Sequence, residues 1–244
     1  MKKVLAYILT PIYFVLFGLT LVIFHPLQWL ALKLGGYQAH KKVVDYLSFV
    51  LVYILYALGT KITFNNKYNL PKNVPLIIVA NHQSMNDIPA LLWLFHKHHP
   101  KFVAKKELEK GVPSISFNLK HGGSALINRK DPKQALTAII NLGKYIEKNN
   151  RSAIIFPEGT RSRNGVPKRF AKNGLKTLLK YAPSAYVVPV TINNSWKFLK
   201  YGGFPFHIGV DLKFDVHKPI KGNTMDFDSL FEGVETSIKN HVKV

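Results

Sequence analysis

The sequence predicts a mixed α/β sheet flanked by helices, preceded by an apolar N-terminal pair of helices. Three observations carry this. From about residue 61 onward, short apolar runs of β type alternate with helical patterns. One of them, Leu76–Ala80, passes at once into a polar cluster and then into a helical pattern. That strand–turn–helix order places reactive side chains at the edge of a sheet. Before all of this, residues 4–24 form an almost unbroken apolar run.

Taken in order, the apolar start follows Met1-Lys2-Lys3 and is interrupted mainly by Tyr7, Thr10, Pro11 and Tyr13. Its length as helix is about 32 Å, enough for a bilayer core, and Pro26 is expected to close it. A basic connector with Gly35 and Gly36 leads to a second apolar stretch, Tyr46–Leu58, which is short for a span. A cleaved signal peptide lacks a small-x-small site before His25. A transmembrane anchor fits the length. A hairpin lying in one leaflet fits the pair of segments, the Tyr and Trp29 positions and the basic flanks. A buried globular hairpin is the bland alternative. Residues 1–60 are therefore expected to be a membrane-associated hairpin or anchor, and 61–244 a catalytic α/β domain.

In that second part the expected strands are Leu76–Ala80, Lys101–Ala104, Ala125–Ile127, Ala153–Phe156, Ala185–Thr191 and Ile208–Phe214. The expected helices are Asp87–His96, Pro132–Glu147, Ala171–Tyr181 and Asp226–His241. The turn-rich stretch from Lys61 to Pro75 marks the boundary.

Composition narrows the chemistry. No cysteine is present among 244 residues, which excludes thiol nucleophiles, thiolate-ligated zinc and disulfides. A net charge of +21 favours anionic partners. Basic residues interleaved with aromatics, the pattern of a nucleic-acid surface, do not occur, so no nucleic acid is expected. The positive charge suits an anionic membrane surface.

His82 and Asp87 stand five residues apart, roughly 140° around a regular helix, so they meet only if His82 precedes the helix and Asp87 lies in its first turn. Ser84 followed by Asp87 reads as a capping-box variant, and Pro89 is tolerated only near a helix start. A carboxylate on one ring nitrogen fixes the imidazole tautomer and frees the other nitrogen to take a proton. The same cluster also reads as a surface histidine beside a helix cap. Arg129, at a strand end beside the Gly122-Gly123 turn, suits a bidentate phosphate contact or an ordinary ion pair. In Phe156-Pro157-Glu158-Gly159-Thr160-Arg161-Ser162, Gly159 permits a tight turn, and Thr160 and Arg161 present a hydroxyl and a guanidinium together. Glu158 is expected to orient Arg161 or bind a substrate hydroxyl. Val187-Val188-Pro189-Val190 reads as a buried edge strand.

Asn81-His82-x-x-x-x-Asp87 resembles the first motif of the glycerolipid acyltransferases related to bacterial 1-acylglycerol-3-phosphate acyltransferase. Lys105 after a small residue, followed by glycines and a terminal Arg129, is similar to the second, with Leu126 or Ile127 where the family has an aromatic residue. Phe156–Ser162 resembles the third and Val187–Val190 the fourth. The likeness covers most of residues 61–215; the apolar start matches only in kind, and nothing beyond about 215 matches a motif.

The resemblance implies transfer of a fatty acyl group from acyl carrier protein or acyl-CoA to a lysophospholipid hydroxyl, without an acyl-enzyme, cofactor or metal. The acceptor it implies is the sn-2 hydroxyl of 1-acylglycerol-3-phosphate, giving phosphatidic acid; glycerol 3-phosphate or a lyso-aminolipid is the alternative for the same chemistry, and a non-enzymatic, membrane-tethered polyanion-binding protein is the alternative of another class. Under the resemblance His82 is the base and Asp87 its orienter. Lys105, or backbone amides near Asn81 or Gly123, stabilise the oxyanion. Asn81, Arg129, Glu158, Gly159, Thr160, Arg161 and Pro189 hold the substrate. The expected place is the cytoplasmic face of the cell membrane.

Overall fold

The computed structural model describes residues 2–244. Helix α1 (Lys2–Tyr53) opens the chain and is broken once, at Gly36, where φ is +66° and only glycine turns without strain. Residues twelve apart on a straight helix lie about 18 Å from one another. Here His40 Nε2 lies 3.2 Å from Gln28 Oε1, and Leu21 packs with Leu47 and Leu51. The two arms of α1 therefore fold back on each other. Pro26 does not end the helix, contrary to expectation, and the connector is helical on both sides of Gly36. Beside the Val22 carbonyl that Pro26 leaves without a helical donor, the Leu21 carbonyl accepts the Ser114 hydroxyl at 2.6 Å, a tie from outside the helix close to the proline. A 3-10 turn, Ile54–Leu58, carries the second arm into the sheet.

The elements that follow are β1 (Lys61–Asn65), β2 (Leu76–Ala80), α2 (Asp87–Leu94), β3 (Pro100–Lys105), α3 (Ile115–His121) and β4 (Ala125–Ile127). Then come α4 (Pro132–Asn149), β5 (Ser152–Ile155), α5 (Lys172–Tyr181), β6 (Tyr186–Asn193), β7 (Asp211–Val216), β8 (Ile220–Lys221) and α6 (Phe227–Lys239). The sheet order is β1-β7-β6-β2-β5-β3-β4, with β8 also on β6. Only the pairings of β6 with β7 and with β8 are antiparallel among the described residues. The mixed α/β sheet matches the predicted class.

Both sheet faces are covered, which explains the unbroken apolar character of β2. Leu76, Ile78 and Ala80 point into one core, shared with Ala6, Tyr13, Val52, Leu55 and Leu58 of the N-terminal segment. Ile77 and Val79 point into the other, filled by Leu142 and Ile146 of α4, Leu175 and Leu178 of α5, and Leu230 and Val234 of α6.

Two corrections concern strands. β1 lies where turn signals predicted a boundary loop, because its five residues are too few to show a period before the Asn-rich stretch. β6 is central, not an edge. Pro189 is accommodated because its nitrogen faces the gap between the residues paired with β8, ending at Val187, and those paired with β7, beginning at Val190. Across that gap the His217 N–H donates to the Pro189 carbonyl at 2.9 Å.

Candidate active site

Strands β2, β5, β3 and β4 run parallel, so their C-terminal ends share one edge. Registers of Val79 with Ile155 and Phe102 with Ile154 place Phe156, Ala104 and Ala80 level. The residues that follow these strands, His82, Glu158, Lys105 and Arg129, therefore stand on one rim. At a spacing of about 4.8 Å per strand, Lys105 lies roughly 10 Å and Arg129 roughly 14 Å along the sheet from the end of β2.

His82 sits in the turn and Asp87 begins α2. Their side chains meet, with Nδ1 2.9 Å from the fully buried Asp87 Oδ2. The same oxygen accepts the Gln83 and Ser84 N–H groups at 2.7 and 2.9 Å. Ser84 Oγ accepts the Asn86 N–H at 3.1 Å, so only half of the expected capping box forms: the Asp87 carboxylate reaches back to the Ser84 N–H, but the Ser84 hydroxyl serves the N–H of Asn86 rather than that of Asp87. With three donors converging on Oδ2, the carboxylate fixes Nδ1–H and leaves Nε2 as the lone-pair nitrogen. Nε2 has no hydrogen-bond partner among the described residues. The ring stacks on Phe156 at a centroid distance of 4.1 Å, and the His82 side chain remains 14% exposed. The group can take a proton from a molecule arriving at the rim.

The second loop holds the backbone of the first. Pro157 and Gly159 form a turn closed by Gly159 N–H to the Phe156 carbonyl at 3.0 Å, with Gly159 at φ +65°. Glu158 is buried, and its two oxygens accept the N–H groups of His82 and Lys168, each at 2.8 Å. Burial pushes its carboxyl up from the ordinary range, opposed by those two donors. It thus clamps two loops and makes no ion pair with Arg161 among the described residues. The expected Arg161 orienter is corrected, since a carboxylate beside two unpaired backbone donors satisfies them first. Ser162, which the sequence did not single out, donates from its N–H and its hydroxyl to the His82 carbonyl at 2.7 and 3.0 Å.

Other expected residues divide. Thr160 and Arg129 are exposed and Arg161 half-buried, free of protein partners in the hydrogen bonds and ion pairs of the described residues. Lys105 is exposed at the end of β3. Asn81 is instead wholly buried: its amide donates to the Ile192 carbonyl at 2.9 Å and its Oδ1 accepts the Ile192 N–H at 2.7 Å. It extends the β2–β6 ladder by one rung, leaving nothing for a substrate. Pro189 is buried mid-strand, likewise out of reach. From the N-terminal hairpin, Tyr13 Oη donates to Asn86 Oδ1 at 3.2 Å, a contact between residues 73 apart that no local pattern announces.

Comparison with known proteins identifies the family and the fold. The Acyltransferase family model matches residues 61–193. A 1-acyl-sn-glycerol-3-phosphate acyltransferase of Borreliella burgdorferi is 30% identical over 67% of this chain and 63% of its own length. A chloroplastic 1-acyl-sn-glycerol-3-phosphate acyltransferase of Brassica napus is 31% identical over 65% of this chain and 44% of its own. The chain thus spans less than two thirds of the length of these relatives. The crystal structure of the 1-acyl-sn-glycerophosphate acyltransferase PlsC from Thermotoga maritima superposes with a TM-score of 0.80 at 24% identity, covering 98% of this chain and 95% of that one, and so has the same fold. With its family match spanning more than half of its residues, including the whole turn that joins His82 to Asp87, this chain belongs to the Acyltransferase family.

Proposed function

We propose that the protein transfers a fatty acyl chain from a thioester, acyl carrier protein or acyl-CoA, to the sn-2 hydroxyl of 1-acylglycerol-3-phosphate, giving phosphatidic acid. The observation that carries this is the His82–Asp87 pair at 2.9 Å with Nε2 turned to an accessible rim. Nε2 takes the acceptor's hydroxyl proton as its oxygen attacks the thioester carbonyl. The tetrahedral oxyanion then collapses, the C–S bond breaks, and the imidazolium returns the proton to the departing thiolate. Lys105 is our candidate for the oxyanion's cation, and Arg129, Thr160 and Arg161 for the acceptor's phosphate. Their lack of protein partners supports this assignment.

In this reading residues 1–60 seat the enzyme on the membrane and 61–244 carry the chemistry. One side of the first arm, with Ala6, Thr10, Tyr13 and Leu21, is buried, while Val4, Ile8, Val15, Leu19, Val22 and Ile23 are exposed. A helix with one side committed to its own domain suits lying in a single leaflet rather than crossing surrounded by lipid. We place it on the cytoplasmic face of the cell membrane.

The test is acyl transfer by detergent-purified protein supplied with 1-acylglycerol-3-phosphate and either thioester. Product formation is expected; thioester consumption only with another lyso-lipid would change the acceptor, and no transfer to any acceptor would end the proposal. Arg161→Ala is expected to raise the KM for the phosphorylated acceptor about tenfold, the size of a lost charged hydrogen bond, and to leave the thioester KM unchanged. An unchanged acceptor KM would move the phosphate site elsewhere.

A further inference from the structure

Asp87 has two oxygens, and the site as described uses one. Oδ2 is saturated by His82, Gln83 and Ser84. Oδ1 accepts the Ser195 hydroxyl at 2.5 Å, and Ser84 Oγ stands farther off at 3.4 Å. Ser195 is wholly buried and lies 108 residues along the chain from Asp87, in the 3-10 turn Ser195–Leu199 that follows β6. Asn194 brings it there. That residue adopts φ +70° and its amide donates to the Asp211 carbonyl at 2.6 Å, so the chain reverses off β6 directly over the His82 turn.

Proton counting fixes the direction of the chain of hydroxyls. Ser84 Oγ accepts the Asn86 N–H, and the two serine oxygens are 2.5 Å apart. Each serine has one proton to give. With the Ser195 proton on Asp87, the Ser84 proton goes to Ser195 Oγ, and every member is satisfied. The Trp196 backbone N–H donates to Gln83 Oε1 at 3.4 Å, a second and longer tie between the same two segments.

We infer that Ser195 is a positioning residue: its hydroxyl locks the rotation of the Asp87 carboxylate so that Oδ2 faces His82 Nδ1 and the imidazole is held in its Nδ1–H form. Without it, Oδ1 loses its short charge-assisted bond in a buried site, and the carboxylate is held about its Cβ–Cγ bond from the Oδ2 side alone, which loosens its aim at Nδ1. The inference rests on the acyl-transfer reading for its kinetic consequence but not for its structural one.

The experiment compares the parent with Ser195→Ala and Ser195→Thr, reading acyl-transfer kinetics and the ¹⁵N signals of labelled His82 at a pH where the ring is neutral. Ser195→Ala is expected to lower kcat about tenfold with both KM values unchanged. Its His82 nitrogens should shift from one tautomer toward a mixture, and Ser195→Thr, which keeps the hydroxyl, should restore both. Should Ser195→Thr disturb packing, Ser84→Ala in the Ser195→Ala background provides the second variant; it removes the remaining hydroxyl near Oδ1 and should deepen the tautomer shift. A kcat within twofold of the parent, or a lower kcat with the tautomer unaltered, overturns the inference. A parent inactive on every lyso-lipid refutes acyl transfer instead, and the nitrogen signals then decide Ser195 by themselves.

Discussion

Replacing His82 by Ala should lower acyl transfer about 10²–10⁴-fold, the usual contribution of a general base, while vesicle binding stays at the parent level. Single-turnover transfer and vesicle co-sedimentation of the same preparations check both halves. The separation is expected because His82 belongs to the rim formed by the ends of β2 and β5, whereas most of the exposed large apolar residues belong to α1. The loss should fall on the chemical step. His82 keeps its place through its backbone, whose N–H and carbonyl are held by Glu158 and Ser162, so the loop survives removal of the ring. Retention of more than about a tenth of the rate would exclude His82 as the base.

The second large effect concerns stability. Lys101 is only 6% exposed, at the start of β3, over the Tyr37 ring at 5.1 Å. Facing it are Arg151 from β5's approach and, from the second hairpin arm, Lys41, Asp45 and His40; His99 precedes it. Burial, then the positive charges of Arg151 and Lys41, push its ammonium down to about 7, with Asp45 opposing. In the unfolded chain a lysine titrates near 10.4. Between these values the unfolded state binds the extra proton, so stability rises with pH. From pH 7 to pH 9 the gain from this group should be about 2 kcal/mol. Lys101→Met, which keeps the stem and drops the charge, should abolish that part of the rise. Chemical unfolding at the two pH values measures it, and equal slopes for parent and variant would assign the rise to other groups.

What the sequence made legible was local. The spacing of His82 and Asp87 forced the turn-then-helix geometry, and the Ser84 and Pro89 signals placed the helix start close to where α2 begins. Apolar runs bounded by turns located β2, β4 and β5 to within a residue at each end. The failures came from contacts between distant residues. The resemblance of its motif implies that Asn81 holds substrate, but its side chain serves β6, 111 residues away. Glu158 looked like a partner for its neighbour Arg161, yet its oxygens are taken by backbone N–H groups of the His82 turn and of Lys168, farther along its own loop. Ser162, Ser195 and Phe156 act on the His82 turn across separations of 74 to 113 residues along the chain or more than one strand, where no periodicity signals them. A three-residue strand or a seven-residue helix such as α3 also offers too few turns to establish a period.

The hairpin also bears on how the domain comes to exist at all. Ala6, Tyr13, Val52, Leu55 and Leu58 fill the same core as β2 and β6, so one wall of the domain is made of the segment whose opposite side carries the exposed apolar residues that we propose meet lipid. Shortening the chain at its start to gain solubility would strip that wall and expose the sheet beneath it. A detergent that pulls the hairpin away should likewise melt the domain rather than release it. Under the proposed membrane seat, arrival at the bilayer and completion of the folded state would be one event, and lipid composition would help determine how much of the protein stays folded.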